Sequence, residues 1–226
     1  MRYNAVIFDF FGTLTEGRCA PEDKIVAEWK LDERKNFDYH FIEDITCGTP
    51  CEMPFTEERK SNYFQTLISR FELPENSEKR LRQIFHEDIL GERLISGARE
   101  IVADLKSKGY KLAMVSDLPN PDYDLSKTKF NFADLFDFRH LSYDPVWINS
   151  LKDGQKVLKP EITIFKKILS ELGTNSENTL MVGNSLRSDI EPARKLGMRA
   201  VLVDYKGKYL DDLDRIESLN ELKKIL

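Results

Sequence analysis

Five short apolar segments constrain the fold of this chain more than any other feature of its sequence. They occupy residues 4–10, 110–117, 137–142, 179–184 and 198–204. All but the third, which is the weakest, are continuous apolar runs, a pattern typical of strands buried on both faces of a parallel sheet. Segments with helical periodicity separate most of them, including residues 98–108 and the segment between Pro160 and Gly173. The alternation predicts an α/β fold with a Rossmann-like parallel sheet core, in the doubly wound arrangement.

Residues 17–92 interrupt this alternation. Three segments in the region have the periodicity of amphipathic helices, and no strand pattern lies between them; they are residues 20–44, 56–71 and 76–90. We therefore expect a catalytic core of residues 1–16 and 93–226 and an inserted all-helical cap domain of residues 17–92. The hinges between the two parts are expected near Glu16–Arg18 and Glu92–Gly97.

The composition argues against several classes of function. Of the 226 residues, 41% are hydrophobic and 32% are charged, which is ordinary for a globular protein and too apolar for a disordered one. The net charge is −5 and no basic cluster is present, so we expect no nucleic-acid partner. Neither a signal pattern nor a run approaching the roughly 18 apolar residues of a membrane span is found. The expectation is a cytoplasmic protein with a small-molecule substrate and no membrane partner; nothing in the sequence predicts an oligomeric state.

The three cysteines predict neither a disulfide framework nor a metal centre. An odd count in a chain of this length does not suggest paired bridges, and the spacing in "CGTPC" lacks the close ligand pair of a zinc site. We expect Cys19, Cys47 and Cys51 to be reduced thiols.

Polar residues stand at four places along the predicted core where strands end or a helix begins. They are Asp9 with Gly12 and Thr13; Ser116 with Asp117; Lys159, just before Pro160; and Asn184, Ser185 and Asp189. In open α/β sheets, ligands bind outside the carboxyl ends of the strands. These residues are therefore expected to share one crevice.

The order of these motifs resembles that of the haloacid dehalogenase (HAD) superfamily of hydrolases. An apolar strand leads to Asp and then Gly-Thr-Leu, a second strand leads to Ser, Lys-Pro opens a helix, and a later strand leads to a Gly-x-Ser stretch that ends in Asp-Ile. The helical insert after the first motif is similar to the cap of one large branch of that family. The resemblance involves the whole chain and implies a hydrolase with a HAD-like core.

The resemblance also implies roles for these residues. Asp9 would be a covalent nucleophile, and a carboxylate can indeed form an ester that water later cleaves. Ser116 and Lys159 would bind the oxygens of the transferring group, where fixed donors stabilise developing charge. The turn residues Phe11, Gly12 and Thr13 would contribute to substrate binding.

A magnesium ion is implied in the same way. In phosphatase members of the family, Mg²⁺ bridges the nucleophile and the substrate and is held through few protein carboxylates, as expected for an ion that retains several waters. Here its ligands would be Asp9, the backbone carbonyl of Phe11 and Asp189, together with Asn184. Asn184 stands where an acidic ligand is usual, so the charge of the site is lower by one.

The sequence departs from the phosphatase pattern at Phe11. Phosphatases of this family normally carry a second aspartate at this position, which protonates the leaving oxygen; such a positioned acid contributes typically about 10²–10⁴-fold to the rate. Three interpretations remain open. The leaving group needs no proton, as with a halide or an acyl phosphate; or Asp117 supplies the proton; or the protein is a catalytically impaired binding or regulatory protein.

Dehalogenase members carry an aromatic residue at the position of Phe11, which keeps carbon–halogen hydrolysis as an alternative. They differ elsewhere, because their motifs place Asn at the position of Asp117 and Tyr at that of Phe165, and Ser and Asn at those of Asn184 and Leu186. The preferred interpretation is that the protein is a Mg²⁺-dependent phosphatase, which acts on a small phosphorylated metabolite through an aspartyl-phosphate intermediate. A 2-haloacid dehalogenase-like hydrolase is the alternative.

Overall fold

The computed structural model describes residues 3–16, 21–31, 57–116, 133–141, 159, 161–209 and 214–226. The three cysteines, Asp117 and residues 32–44 of the first predicted helix lie outside these ranges.

The main sheet has six parallel strands, and all five predicted strands are among them. These strands are β1 (Ala5–Asp9), β4 (Lys111–Ser116), β5 (Phe138–Leu141), β6 (Thr179–Gly183), β7 (Arg199–Val203) and β8 (Arg215–Ile216), in the spatial order β5-β4-β1-β6-β7-β8. All five residues of β1 are buried, since it lies between β4 and β6 in the centre of the sheet. The carboxyl ends of β1, β4 and β6 therefore lie side by side.

Helices cover both faces of this sheet, so the predicted α/β fold is confirmed. Alternate residues of β1 point to opposite faces. Val6 and Phe8 belong to one hydrophobic core together with α4 (Ala98–Ser107), whereas Ala5 and Ile7 belong to a second core together with α5 (Ile162–Leu172). The described ranges of this part also contain the short helices α6 (Glu191–Lys195) and α7 (Leu222–Ile225), and α7 follows a capping box between Ser218 and Glu221. None of the helices in the described ranges has the length and apolar composition needed to cross a bilayer.

Residues 17–92 contribute three helices in the described ranges. They are α1 (Pro21–Trp29), α2 (Glu57–Arg70) and α3 (Glu78–Gly91). Their apolar faces form a third hydrophobic core, built from Ile25, Phe64, Leu67, Ile68, Phe71, Leu73, Leu81, Ile84 and Phe85. No described residue of the sheet belongs to this core.

The first of these helices is shorter than its periodicity predicts. The expectation of helix from residue 20 to 44 is wrong at residue 30, where α1 has ended. Lys30 adopts a left-handed backbone conformation (φ +51°), and the N–H of Leu31 donates to the carbonyl of Val26 at 3.0 Å. This six-to-one hydrogen bond closes a helix.

Three strands of two residues each had no counterpart in the sequence prediction. β2 (Thr15–Glu16) and β3 (Arg93–Leu94) form an antiparallel ribbon, and β8 extends the edge of the main sheet. Strands of two residues carry no periodicity, so they leave no pattern in the sequence. The ribbon lies at the predicted hinges, since β2 follows β1 in the chain and β3 follows α3.

Candidate active site

Asp9 lies at the carboxyl end of the central strand and is held by two donors. The residue is 4% exposed. Thr13 Oγ1 donates a hydrogen bond to Oδ2 at 2.8 Å, and Lys159 Nζ donates to Oδ1 at 2.6 Å. Both donors orient the carboxylate, and the ammonium group also compensates its charge.

The turn after Asp9 is closed by backbone hydrogen bonds and packed against the loop after β6. Gly12 has φ +75°, a conformation that favours glycine, and its N–H donates to the carbonyl of Thr15 at 2.9 Å. A Cβ atom on Gly12 would lie only 2.1 Å from Nδ2 of Asn184. Glycine at this position therefore allows Asn184 to approach the turn that carries Thr13.

Lys159 joins Asp9 to a second buried carboxylate. Its Nζ donates to Oδ1 of Asp189 at 2.7 Å, and Asp189 has no exposed surface. The N–H of Ser185 donates to the other oxygen, Oδ2, at 3.0 Å. One ammonium group is thus shared by two carboxylates that follow different strands.

A short π-helical turn, Leu186–Ile190, brings Asp189 back towards the end of β6. The turn is capped by Ser185, whose side chain accepts a hydrogen bond from the N–H of Ser188 at 3.1 Å. A Cβ atom on Gly183 would lie 2.5 Å from Cβ, Cγ and Oδ2 of Asp189. The absence of a side chain at Gly183 is what allows the carboxylate to sit against the strand end.

The electrostatics of Asp9 follow from its burial. Removal from water raises the pKa of Asp9 to about 7, and the negative charge of Asp189 acts in the same direction. The charge and hydrogen bond of Lys159, and the hydrogen bond of Thr13, oppose this rise because they stabilise the ionised form. A further cation near the two carboxylates would stabilise the ionised form in the same way.

Ser116 lies at the end of the neighbouring strand. Asp9 is opposite Val115 in the register of β1 and β4, so Ser116 is one residue further along the same edge of the sheet, and it is 1% exposed. Asp117, the predicted proton donor, lies outside the described residues.

Position 11 carries no acidic group. The Phe11 ring is half-buried and packs edge-on against the Phe10 ring, with 4.9 Å between the ring centroids. Because Phe11 follows Asp9 by two residues, an apolar ring occupies this part of the turn.

The donor chemistry of the site suits magnesium. Mg²⁺ is commonly bound through one or two carboxylates, with waters and substrate phosphate completing its shell. Asp9 and Asp189 supply two carboxylates, each of which forms an ion pair with Lys159. Asn184 lies against the turn that follows Asp9. Within the described ranges no cluster of three or more His, Cys, Asp or Glu side chains is placed to hold a metal. The two carboxylates by themselves fit an ion that is held through few protein groups.

Two further residues contact the turn after Asp9, and neither was among the predicted site residues. The Tyr205 hydroxyl donates to the backbone carbonyl of Thr13 at 2.7 Å, and burial raises the pKa of this phenol, so it remains a donor. Glu92 accepts a hydrogen bond from Thr15 at 2.7 Å. For Tyr205 a signal was present, because it directly follows the apolar run at 198–204 and so stands at the carboxyl edge of the sheet. For Glu92 the signal was its place at the start of the predicted hinge, Glu92–Gly97, and no contact followed from it.

Comparisons with known proteins agree on one family. The sequence model of the haloacid dehalogenase-like hydrolases matches residues 3–197. The glyceraldehyde 3-phosphate phosphatase of Pyrococcus abyssi (strain GE5 / Orsay) is 30% identical over 188 residues, which cover 77% of this chain and 74% of that protein.

Two solved structures show the same fold. A HAD phosphatase from Thermococcus onnurineus has a TM-score of 0.61 and 23% identity, over 98% of this chain and 97% of that one. The 2-haloacid dehalogenase from Pseudomonas syringae pv. Tomato DC3000 has a TM-score of 0.60 and 20% identity, over 99% and 97% of the two chains.

Proposed function

Since this chain belongs to the haloacid dehalogenase-like hydrolases, we propose that it is a Mg²⁺-dependent phosphatase acting on a small phosphorylated metabolite. The observation that carries the proposal is the buried Asp9 carboxylate, held at the end of the central strand by Lys159 and Thr13 with Asp189 beside them. The 30% identity with a protein named glyceraldehyde 3-phosphate phosphatase supports a phosphate ester as substrate.

In the proposed reaction Asp9 is the nucleophile. One of its oxygens attacks the phosphorus atom, the bond from phosphorus to the leaving oxygen breaks, and the leaving oxygen takes up a proton. Water then attacks the phosphorus of the aspartyl-phosphate, releases inorganic phosphate and restores the carboxylate. Two moderate barriers replace one high barrier.

Lys159 and Ser116 would bind the phosphoryl oxygens, since fixed donors stabilise charge that develops in the transition state. When bound, Mg²⁺ would neutralise phosphoryl charge; Asp9, Asp189, the Phe11 carbonyl and the Asn184 amide are the proposed ligands. Gly12 and Thr13 would face the substrate from the turn.

The helical region, residues 17–92, is proposed to act as a cap that selects the substrate. Its three described helices have a hydrophobic core of their own, and the β2–β3 ribbon links the region to the turn that carries Thr13. Because this hydrophobic core is separate, side chains of the helical region can differ between related proteins without displacing the residues of the sheet.

Phosphate release tests the proposal directly. We expect Mg²⁺-dependent release from glyceraldehyde 3-phosphate, p-nitrophenyl phosphate or acetyl phosphate, and loss of turnover in Asp9→Asn with retained folding by circular dichroism. Full activity of Asp9→Asn would contradict the proposal.

Halide release from 2-chloropropionate would instead support the dehalogenase alternative, for which the aromatic residue at position 11 is the favourable observation. If neither phosphate nor halide is released in any of these assays, the result would support a binding protein.

Asp117 is the proposed source of the proton that position 11 does not supply, because it directly follows Ser116 in sequence. An alkyl phosphate releases an alkoxide, which needs a proton, whereas acetyl phosphate releases acetate, which does not. Asp117→Asn is therefore expected to lower kcat for an alkyl monoester by about 10²-fold or more and to change kcat for acetyl phosphate little. Equal effects on both substrates would remove Asp117 from this role.

A further inference from the structure

Glu92 is a buried acidic residue that the proposed chemistry does not use. It directly follows α3, where the chain returns to the core, and it is 1% exposed. Thr15, also 1% exposed, donates a hydrogen bond from Oγ1 to Glu92 Oε1 at 2.7 Å. Because a buried carboxylate without hydrogen bonds is unfavourable, this contact stabilises both side chains. It links the segment that leaves the first strand to the segment that returns.

Backbone pairing fixes the same two segments to each other. β2 pairs with β3, and the N–H of Ile95 donates to the carbonyl of Leu14 at 2.9 Å. One residue further along the ribbon, Glu16 and Arg93 form an ion pair at 3.0 Å with both side chains more than half exposed. Exposed pairs of this kind contribute little to stability. The ribbon thus contains one buried and one exposed polar contact on neighbouring residues.

Thr15 is connected to Asp9 through the turn between them. The carbonyl of Thr15 accepts from the N–H of Gly12 at 2.9 Å, and its own N–H donates to the carbonyl of Phe10 at 3.1 Å. The same turn carries Thr13, whose hydroxyl donates to Asp9. Displacement of Thr15 would therefore displace the donor that orients the Asp9 carboxylate.

We propose that Glu92 is a positioning residue for Asp9, acting through Thr15 and the turn that follows β1. Because Glu92 stands where the helical region rejoins the core, the position of that returning segment is coupled to the orientation of the nucleophile. The inference rests on the proposed function, in which Asp9 attacks the substrate. Misplacement of a reacting group by about 1 Å can lower a rate about 10²-fold, so the effect belongs to kcat rather than to KM.

The test compares variants that remove this hydrogen bond with variants that keep it. Thr15→Val preserves shape but has no hydroxyl, and Glu92→Ala removes the acceptor; each is expected to lower kcat by about 10- to 100-fold with little change in KM. The double variant is expected to be no worse than either single variant, since both remove the same bond. Thr15→Ser and Glu92→Gln retain a donor and an acceptor, and both are expected to remain close to wild type.

Arg93→Gln is the matched control, because it removes the exposed ion pair of the same ribbon and is expected to leave kcat unchanged. Hydrogen exchange of the peptide that contains residues 9–16 supplies a readout independent of turnover. Exchange should be faster in Thr15→Val and unchanged in Arg93→Gln. If Glu92→Ala does not fold, the nearly isosteric Thr15→Val carries the test.

Wild-type kcat in folded Thr15→Val, additive losses in the double variant, or an equal loss in Arg93→Gln would each overturn the inference. If the wild-type protein releases no phosphate from any substrate, the proposed function fails, and the exchange measurement decides the inference by itself. Unchanged exchange in Thr15→Val would then reject the coupling.

Discussion

Lys159 contributes a single ammonium group to two buried carboxylates. Its distances of 2.6 Å to Asp9 and 2.7 Å to Asp189 place one positive charge between two negative ones, with little water to screen them. Removing one partner from a buried cluster leaves uncompensated charge, which is strongly unfavourable. This lysine thus has a structural effect on the site besides its proposed role towards the phosphoryl group.

We expect Lys159→Met to lower kcat by about 10²–10³-fold, the effect of losing one preorganised donor. The matched control is Lys111→Met, because Lys111 donates instead to the carbonyl of Leu172, at 2.6 Å, away from the site. This control should change thermal stability at most, and kcat should remain that of the wild type. Steady-state kinetics and thermal unfolding of both variants provide the measurement. A wild-type kcat in Lys159→Met would contradict the assignment.

At the scale of elements, the helices divide between different hydrophobic cores. Phe64 of α2 belongs to a core with residues of α1 and α3, whereas Phe165 of α5 belongs to the core that contains Ile7 of the main sheet. Both phenylalanines are fully buried, at 1% and 0% exposure, so the two positions differ mainly in the core to which they belong. Replacing either by alanine creates a cavity that costs about 3–5 kcal/mol.

The two substitutions are expected to differ in where they loosen the protein. Phe64→Ala should accelerate amide hydrogen exchange in α2 and α3 and leave β1 and β6 protected, because its core contains no described residue of the sheet. Phe165→Ala should accelerate exchange in β1 and β6. Exchange resolved by mass spectrometry measures both. Equal acceleration of β1 in the two variants would show that the helical region is not a separate folding unit.

At the scale of the whole molecule, the fold alone does not decide the chemistry. A phosphatase and a dehalogenase resemble this chain to nearly the same degree, with TM-scores of 0.61 and 0.60. The sheet therefore serves as a common scaffold, and the reaction depends on a few side chains at its carboxyl edge. In this chain the residues that bear on the two alternatives are Phe11, which is aromatic as in the dehalogenases, and four residues that depart from the dehalogenase pattern: Asp117, Phe165, Asn184 and Leu186.

Five of the six strands of the main sheet, together with α4 and α5, could be predicted from the sequence. Strands buried on both faces are apolar along most of their length, so the burial of β1, β4, β6 and β7 is already visible in their composition. Their carboxyl ends share one edge, which is why Asp9 and Ser116 could be assigned to one crevice before their contacts were known.

The long-range hydrogen bonds of the site could not be predicted from the sequence, because they depend on how distant segments pack. Lys159 reaches Asp9 and Asp189 across 150 and 30 residues, and Tyr205 reaches Thr13 across 192. The buried contact between Glu92 and Thr15 likewise joins segments 77 residues apart, through strands too short to show a pattern. The local pattern of apolar residues indicates which face of an element is buried. The local pattern does not indicate which distant side chain contacts that face, because this contact depends on how the whole chain packs.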